Sequence, residues 1–190
     1  LDYASLAAIN PRLIYSSITG FGQDGPYAAR PGYDFVIQGM SGVMDLTGEA
    51  ERSPQKIGVA FADVFTGMYA TVAIQAALLM RARTGRGQQI DMALLDVMTG
   101  VLANQGMNAL FGAAQGLPGP TRMGNAHPNV APYSVFPCLD GWFILAVGND
   151  GQFRAACDVL GLAAEKADPR FAENSGRIAH RAELTEAIAA

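Results

Sequence analysis

From Asp63 to about Arg83 the sequence carries a helical pattern with no proline to stop it, and this stretch constrains the fold more than any other. Val64, Met68, Val72 and Ala76 recur on one side at the helical period, and Ala77, Leu78 and Leu79 are expected to add to the core. Arg81 and Arg83 fall in the last turn, where cations suit the carbonyl end of a helix, and Thr84-Gly-Arg-Gly87 closes it. The surrounding Val59 to Met80 is the most apolar stretch, yet it contains Asp63, Thr66, Thr71 and Gln75. Each of these would need a partner in lipid, so a core helix is expected and a membrane span is not.

Strands flank this helix. Leu13-Ile-Tyr-Ser-Ser-Ile-Thr19 reads as a buried strand, Gln88 to Met92 as a second, and a further long helix is expected from about Leu94 to Phe111. Gly20 to Gly32, with four glycines and two prolines, is a loop; Tyr33 to Gln38 starts a short helix, and Met40 to Lys56 is irregular. A connector rich in Gly, Pro and Asn runs from Gly112 to Pro132. Beyond it, Tyr133 to Cys138 and Trp142 to Val147 form a hairpin around Asp140-Gly141, followed by a helix from about Gly151 to Leu160 and a broken helical tail. The class is α/β or α+β, divided as 1–112, 113–132 and 133–190. The opening residues read as the last turns of a helix and 181–190 as a helix without a stop signal, so part of a longer protein is expected.

Half of the residues are hydrophobic and 16% are charged, enough for a packed core and unlike a disordered chain. The net charge of -4, without a basic block, argues against a nucleic-acid-binding module. Cys138, Cys157, His127 and His180 are too few for a disulfide framework or a Cys/His zinc cluster, so no metal is expected. With no signal peptide visible, a soluble cytoplasmic protein is expected.

Several residues invite chemistry. Gly20-Phe-Gly22-Gln-Asp-Gly25 fits a dinucleotide-binding glycine pattern, but Pro26 follows where a helix should open, so a tight loop is expected. Asp63 interrupts an apolar run. It reads as a helix N-cap, and the same position, with apolar walls and a helix N-terminus favouring negative charge, suits a carboxylate nucleophile. His127 in Gly124-Asn-Ala-His-Pro128 reads as a solvated or structural loop residue more readily than as a base. Asp96 reads as a capping or packing carboxylate. Neither a phosphate-binding G-K-[ST] pair nor a G-x-S-x-G elbow is present.

Five segments in order resemble the class III coenzyme A transferases, the formyl-CoA and carnitine CoA-transferase family. They are Ser17-Ile-Thr-Gly-Phe-Gly22 with Gly25-Pro-Tyr27; Arg30-Pro-Gly-Tyr-Asp34 with Gln38-Gly-Met-Ser-Gly42; Ala62-Asp-Val-Phe-Thr-Gly67; Arg83-Thr-Gly-Arg-Gly-Gln88 leading to Asp91-Met-Ala-Leu-Leu-Asp96; and Gly124-Asn-Ala-His-Pro128 with Ala131-Pro-Tyr133 and Phe136. The resemblance implies part of a Rossmann-like large domain joined to part of a smaller α+β domain, in subunits that interlock as a homodimer. It implies transfer of coenzyme A between carboxylic acids through an aspartyl-CoA thioester on Asp63, with the CoA thioester as substrate and no cofactor. Tyr33, Asp34, Gly124, Asn125, Ala126 and His127 become candidate substrate or CoA contacts, Arg30 joins them on its charge and loop position, and Gly124 to Pro128 is expected as a mobile cover with backbone N–H groups near the oxyanion. Asp34 is one methylene shorter than the glutamate of the formyl-CoA branch. Racemases of 2-methylacyl-CoA share the fold but carry Gly-His-Asp where this chain has Gly32-Tyr33-Asp34. A phenol, with an ordinary pKa of about 10, is a poor base, which disfavours that activity. A non-catalytic member of the family is the remaining alternative.

Overall fold

The computed structural model describes residues 1 to 190 and has a mixed α/β fold in two compact units. One comprises Leu1–Thr47 and Pro54–Thr121, the other Gly48–Ser53 and Arg122–Ala190.

In the first unit, α1 (Tyr3–Ile9) leads into β1 (Tyr15–Thr19), which pairs in parallel with β2 (Gln89–Ala93), Tyr15 opposite Gln89 and Thr19 opposite Ala93. Parallel pairing requires a crossover, here α2 (Asp34–Met40), α3 (Val43–Leu46) and α4 (Phe61–Thr84). Helix α3 lies within the stretch read as irregular; at four residues it is too short for a period to show. Gly20 and Gly32 close the loop between β1 and α2, their backbones so close that a Cβ on either would sit inside the other.

Helix α4 runs where expected but turns its faces round. Ala62, Thr66, Ala70 and Ala77 form the buried side, whereas Val64, Met68 and Val72 are 54%, 58% and 66% exposed. Small residues let α4 approach α2 and α5 closely, and the large apolar residues fall on the opposite side. By length and composition α4 could cross a membrane; in this unit it packs on α2, α5 and both strands. The core gathers Ile37, Val43, Ala62, Leu94 and Met98, with Phe21, Ile57 and Phe61 packed against them.

After β2 come two helices where one was expected, α5 (Leu94–Val101) and α6 (Ala103–Ala114). The chain breaks at Leu102, and Ala103 takes φ 46°, a left-handed conformation that side chains disfavour.

The second unit pairs β3 (Tyr133–Cys138) with β4 (Gly141–Ala146) in antiparallel fashion. Cys138 lies opposite Gly141, so the two turn residues are Leu139-Asp140, one position earlier than expected. Helices α7 (Asp150–Leu160), α8 (Ala163–Ala167), α9 (Asn174–Ala179) and α10 (Arg181–Ala189) follow. Asn149 caps α7 by accepting the Gln152 N–H at 2.9 Å. Val147, Phe153, Cys157, Phe171 and Leu184 form the core.

Candidate active site

Asp63 stands in the first turn of α4, but the N-cap position expected for it belongs to Ala60, whose side chain caps nothing. The Asp63 carboxylate is exposed rather than sunk in the apolar setting that its neighbours suggested. One donor at the start of α4 finds a partner from 28 residues earlier in the chain: Asp34 Oδ1 accepts the Ala62 N–H at 2.8 Å. Asp34 Oδ2 accepts from Gln38 Nε2, also at 2.8 Å. Gln38 is fully buried; its Oε1 accepts the Ile57 N–H at 2.8 Å, and its Nε2 also reaches the Val59 carbonyl at 3.4 Å. Both Asp34 oxygens are therefore engaged within the protein, holding the segment that enters α4 one residue before Asp63.

This arrangement lies at the carboxyl ends of the parallel strands. Phe21, two residues past β1, packs against the cluster that joins Ala62 of α4 to Leu94, directly after β2. Open α/β sheets bind ligands at that end. Tyr33, adjacent to Asp34, is 73% exposed. Arg30 lies over the Tyr27 ring at 4.1 Å, its guanidinium exposed and held by no ion pair. Thr19 Oγ1 accepts the Gly22 N–H at 2.9 Å, and Asp91 Oδ2 accepts the Gln23 N–H at 2.7 Å. These bonds pin the glycine-rich loop after β1, and no helix opens until Asp34. Asp96 sits exposed in the first turn of α5.

In the second unit, residues 124–128 are tied at both ends. The Gly124 N–H donates to the Gly48 carbonyl at 2.9 Å and the His127 N–H to the Tyr133 carbonyl at 3.0 Å; the Ala126 N–H closes a turn on Met123 at 3.1 Å. Of the four N–H groups from 124 to 127, that of exposed Asn125 makes no hydrogen bond within the chain. His127 is half-buried beside Tyr133, ring centroids 5.2 Å apart, and its Nδ1 accepts the Asn129 N–H at 3.1 Å. Arg181 reaches the Pro128 and Val130 carbonyls at 3.3 Å, and burial draws its guanidinium below the ordinary arginine value. Beside this segment lies a cavity of about 200 Å³ lined by Met123, Ala126, Tyr133, Phe136, Arg181 and Leu184.

Gln38 and Arg181 have no role legible in the sequence read alone, although the i, i+4 spacing of Asp34 and Gln38 on one short helix is a signal for the first. Arg181 acts across a separation of about fifty residues.

The chain matches CoA-transferase family III over residues 1–190 and belongs to that family. It is 58% identical over 188 residues to the succinate–glutarate CoA-transferase of Agrobacterium fabrum, covering 99% of this chain and 46% of that one. The acetyl-CoA:oxalate CoA-transferase of Acetobacter aceti is 42% identical, covering 98% and 47%. A crystal structure of a CAIB/BAIF family protein from Brucella suis superposes with TM-score 0.80 at 64% identity, covering 100% of this chain and 49% of that one. The chain thus spans about half the length of the relatives that it matches.

Proposed function

We propose that the protein transfers coenzyme A between carboxylic acids, with Asp63 as nucleophile. The observation that carries this reading is an exposed carboxylate in the first turn of α4, at the carboxyl ends of the parallel strands, with the helix start held by another residue. A carboxylate that capped its own helix would have its oxygens engaged; Asp34 leaves those of Asp63 free to react. In the proposed sequence, an Asp63 oxygen attacks the thioester carbonyl, the C–S bond breaks, and CoA thiolate leaves a mixed anhydride. The thiolate then attacks the aspartyl carbonyl and the donor acid departs, leaving CoA esterified on Asp63. An acceptor carboxylate reverses these steps. Two weak nucleophiles are thereby exchanged through activated acyl groups without an external energy source.

The names of the relatives favour small dicarboxylates: one acts on succinate and glutarate, another on oxalate. Arg30 and Tyr33 are assigned to bind acid or CoA groups, since a guanidinium stacked on an aromatic ring is a preorganised anion partner. The anhydride must be kept from water. We further assign a Rossmann-like large domain, an interlocked homodimer, a soluble cytoplasmic protein and no metal or cofactor.

The test uses the complete natural protein. Incubation with succinyl-CoA, followed by hydroxylamine or borohydride and peptide mapping, should modify Asp63, and Asp63→Asn should abolish exchange of labelled glutarate into its CoA ester. Modification elsewhere, or full exchange in Asp63→Asn, would refute the assignment. Deuterium entering the α-carbon without CoA transfer would point to a racemase instead.

A further inference from the structure

We propose that Gln38 is a positioning residue for Asp63, acting through Asp34 and the backbone of residues 57–62; the inference rests on the reading of Asp63 as nucleophile. Gln38 is fully buried in the core beneath the start of α4. A primary amide there is tolerated only when its ends are bonded, and the orientation of this one is forced. The Ile57 N–H can only donate, so it takes Oε1 at 2.8 Å, and Nε2 must face Asp34. One Asp34 oxygen is thereby occupied and fixed, and the other receives the Ala62 N–H. With the Val59 carbonyl as a third contact, three backbone points between Ile57 and Ala62 are referenced to α2. The chain enters α4 along a path set by these bonds, and the direction in which Asp63 leaves the helix follows from it. Reacting groups are sensitive to such placement, where about 1 Å of error can cost about 100-fold in rate.

The polarity of the pair supplies its own test in the complete natural protein. Gln38→Glu sets carboxylate against carboxylate, and Asp34→Asn sets one amide NH2 against another. Together they restore two of the three backbone contacts in reverse: the amide oxygen at position 34 takes the Ala62 N–H, its NH2 donates to the carboxylate at 38, and the other carboxylate oxygen takes the Ile57 N–H, while the weaker contact with the Val59 carbonyl is lost. Each single substitution is expected to lower kcat by about 10- to 100-fold, with KM for succinyl-CoA moving less than about threefold. Hydrogen exchange at 57–62 should speed up in each. The double variant is expected to regain at least about tenfold over the poorer single variant and to slow that exchange again. Singles that keep wild-type kcat, losses that track only the folded fraction in parallel thermal unfolding, or a double variant no better than the singles would each overturn the role of Gln38. Trapping on the wild type separates the two readings: no label on Asp63 refutes the nucleophile itself, whereas label on Asp63 with unaffected singles refutes the positioning role alone.

Discussion

Replacing Arg177 with methionine removes the fully buried charge of the second unit and strands the groups it serves. The guanidinium donates to the carbonyls of Ala131 at 2.8 Å, Phe171 at 2.9 Å and Ala172 at 3.2 Å, and to Asp150 Oδ1 at 2.7 Å. It also lies over the Phe153 ring at 4.7 Å. Methionine keeps much of the volume and the contact with Phe153 but donates nothing. The Asp150 side chain is 45% exposed and Ala172 is exposed, so water replaces the lost bond at both. Ala131 and Phe171 are buried at 1% and 4%, and their carbonyls have no such recourse. At about 1–3 kcal/mol for each stranded carbonyl, the expected loss is about 2–6 kcal/mol, centred near 4. Asp150→Asn keeps an acceptor oxygen in a wet position and should cost about 1 kcal/mol. Urea unfolding gives both numbers, and exchange mass spectrometry should show faster exchange near Ala131 and Phe171 in Arg177→Met. A loss below about 1 kcal/mol for Arg177→Met, or an equal loss for Asp150→Asn, would refute the reasoning.

Two smaller predictions concern the same unit. Gly124 takes φ 59°, and a Cβ there would fall 2.9 Å from the Glu49 carboxylate; Gly124→Ala should therefore cost about 1–2 kcal/mol from its backbone conformation alone. A Glu49→Ala background should relieve the collision and leave that backbone cost, which thermal unfolding of the four variants would separate. Hydrogen bonds from Arg170 hold the Asp168 carboxyl below its ordinary range, and bonds from His180 and Arg170 do the same for Glu183. Groups with depressed folded values contribute stability above their unfolded pKa and lose it as pH falls through the folded value. Unfolding midpoints should drop as pH falls below about 4, and Asp168→Asn with Glu183→Gln should flatten that decline.

The fold was legible where order is local. Both parallel strands, α4 and α7 announce themselves through short-range periodicity and end signals, and the structure shifts their ends by only a few residues. What periodicity could not give was the side of α4 that faces inward. It marks Val64, Met68 and Val72 as a stripe, yet the close approach of α2 and α5 favours the stripe of Ala62, Thr66, Ala70 and Ala77. Nor could it find the break at Leu102-Ala103, where no glycine or proline stands and the backbone alone departs from the helix.

The site shows the same division more sharply. Asp63 was legible as a carboxylate at a helix start because that is a property of its neighbours in sequence. Its exposure was not, because the residue that satisfies the helix start is Asp34, brought there by the parallel pairing of β1 with β2, the contact of Gly20 with Gly32 and the burial of Gln38. Neither the strand pairing nor the glycine contact can be inferred from a window of ten residues. The consequence is chemical as well as architectural. Had Asp63 capped its own helix, attack on a thioester would have required it to abandon the bond holding that helix in place. With the cap supplied from α2, one carboxylate stabilises α4 and a different one is available to react, so the proposed chemistry and the stability of the helix do not compete for the same oxygens.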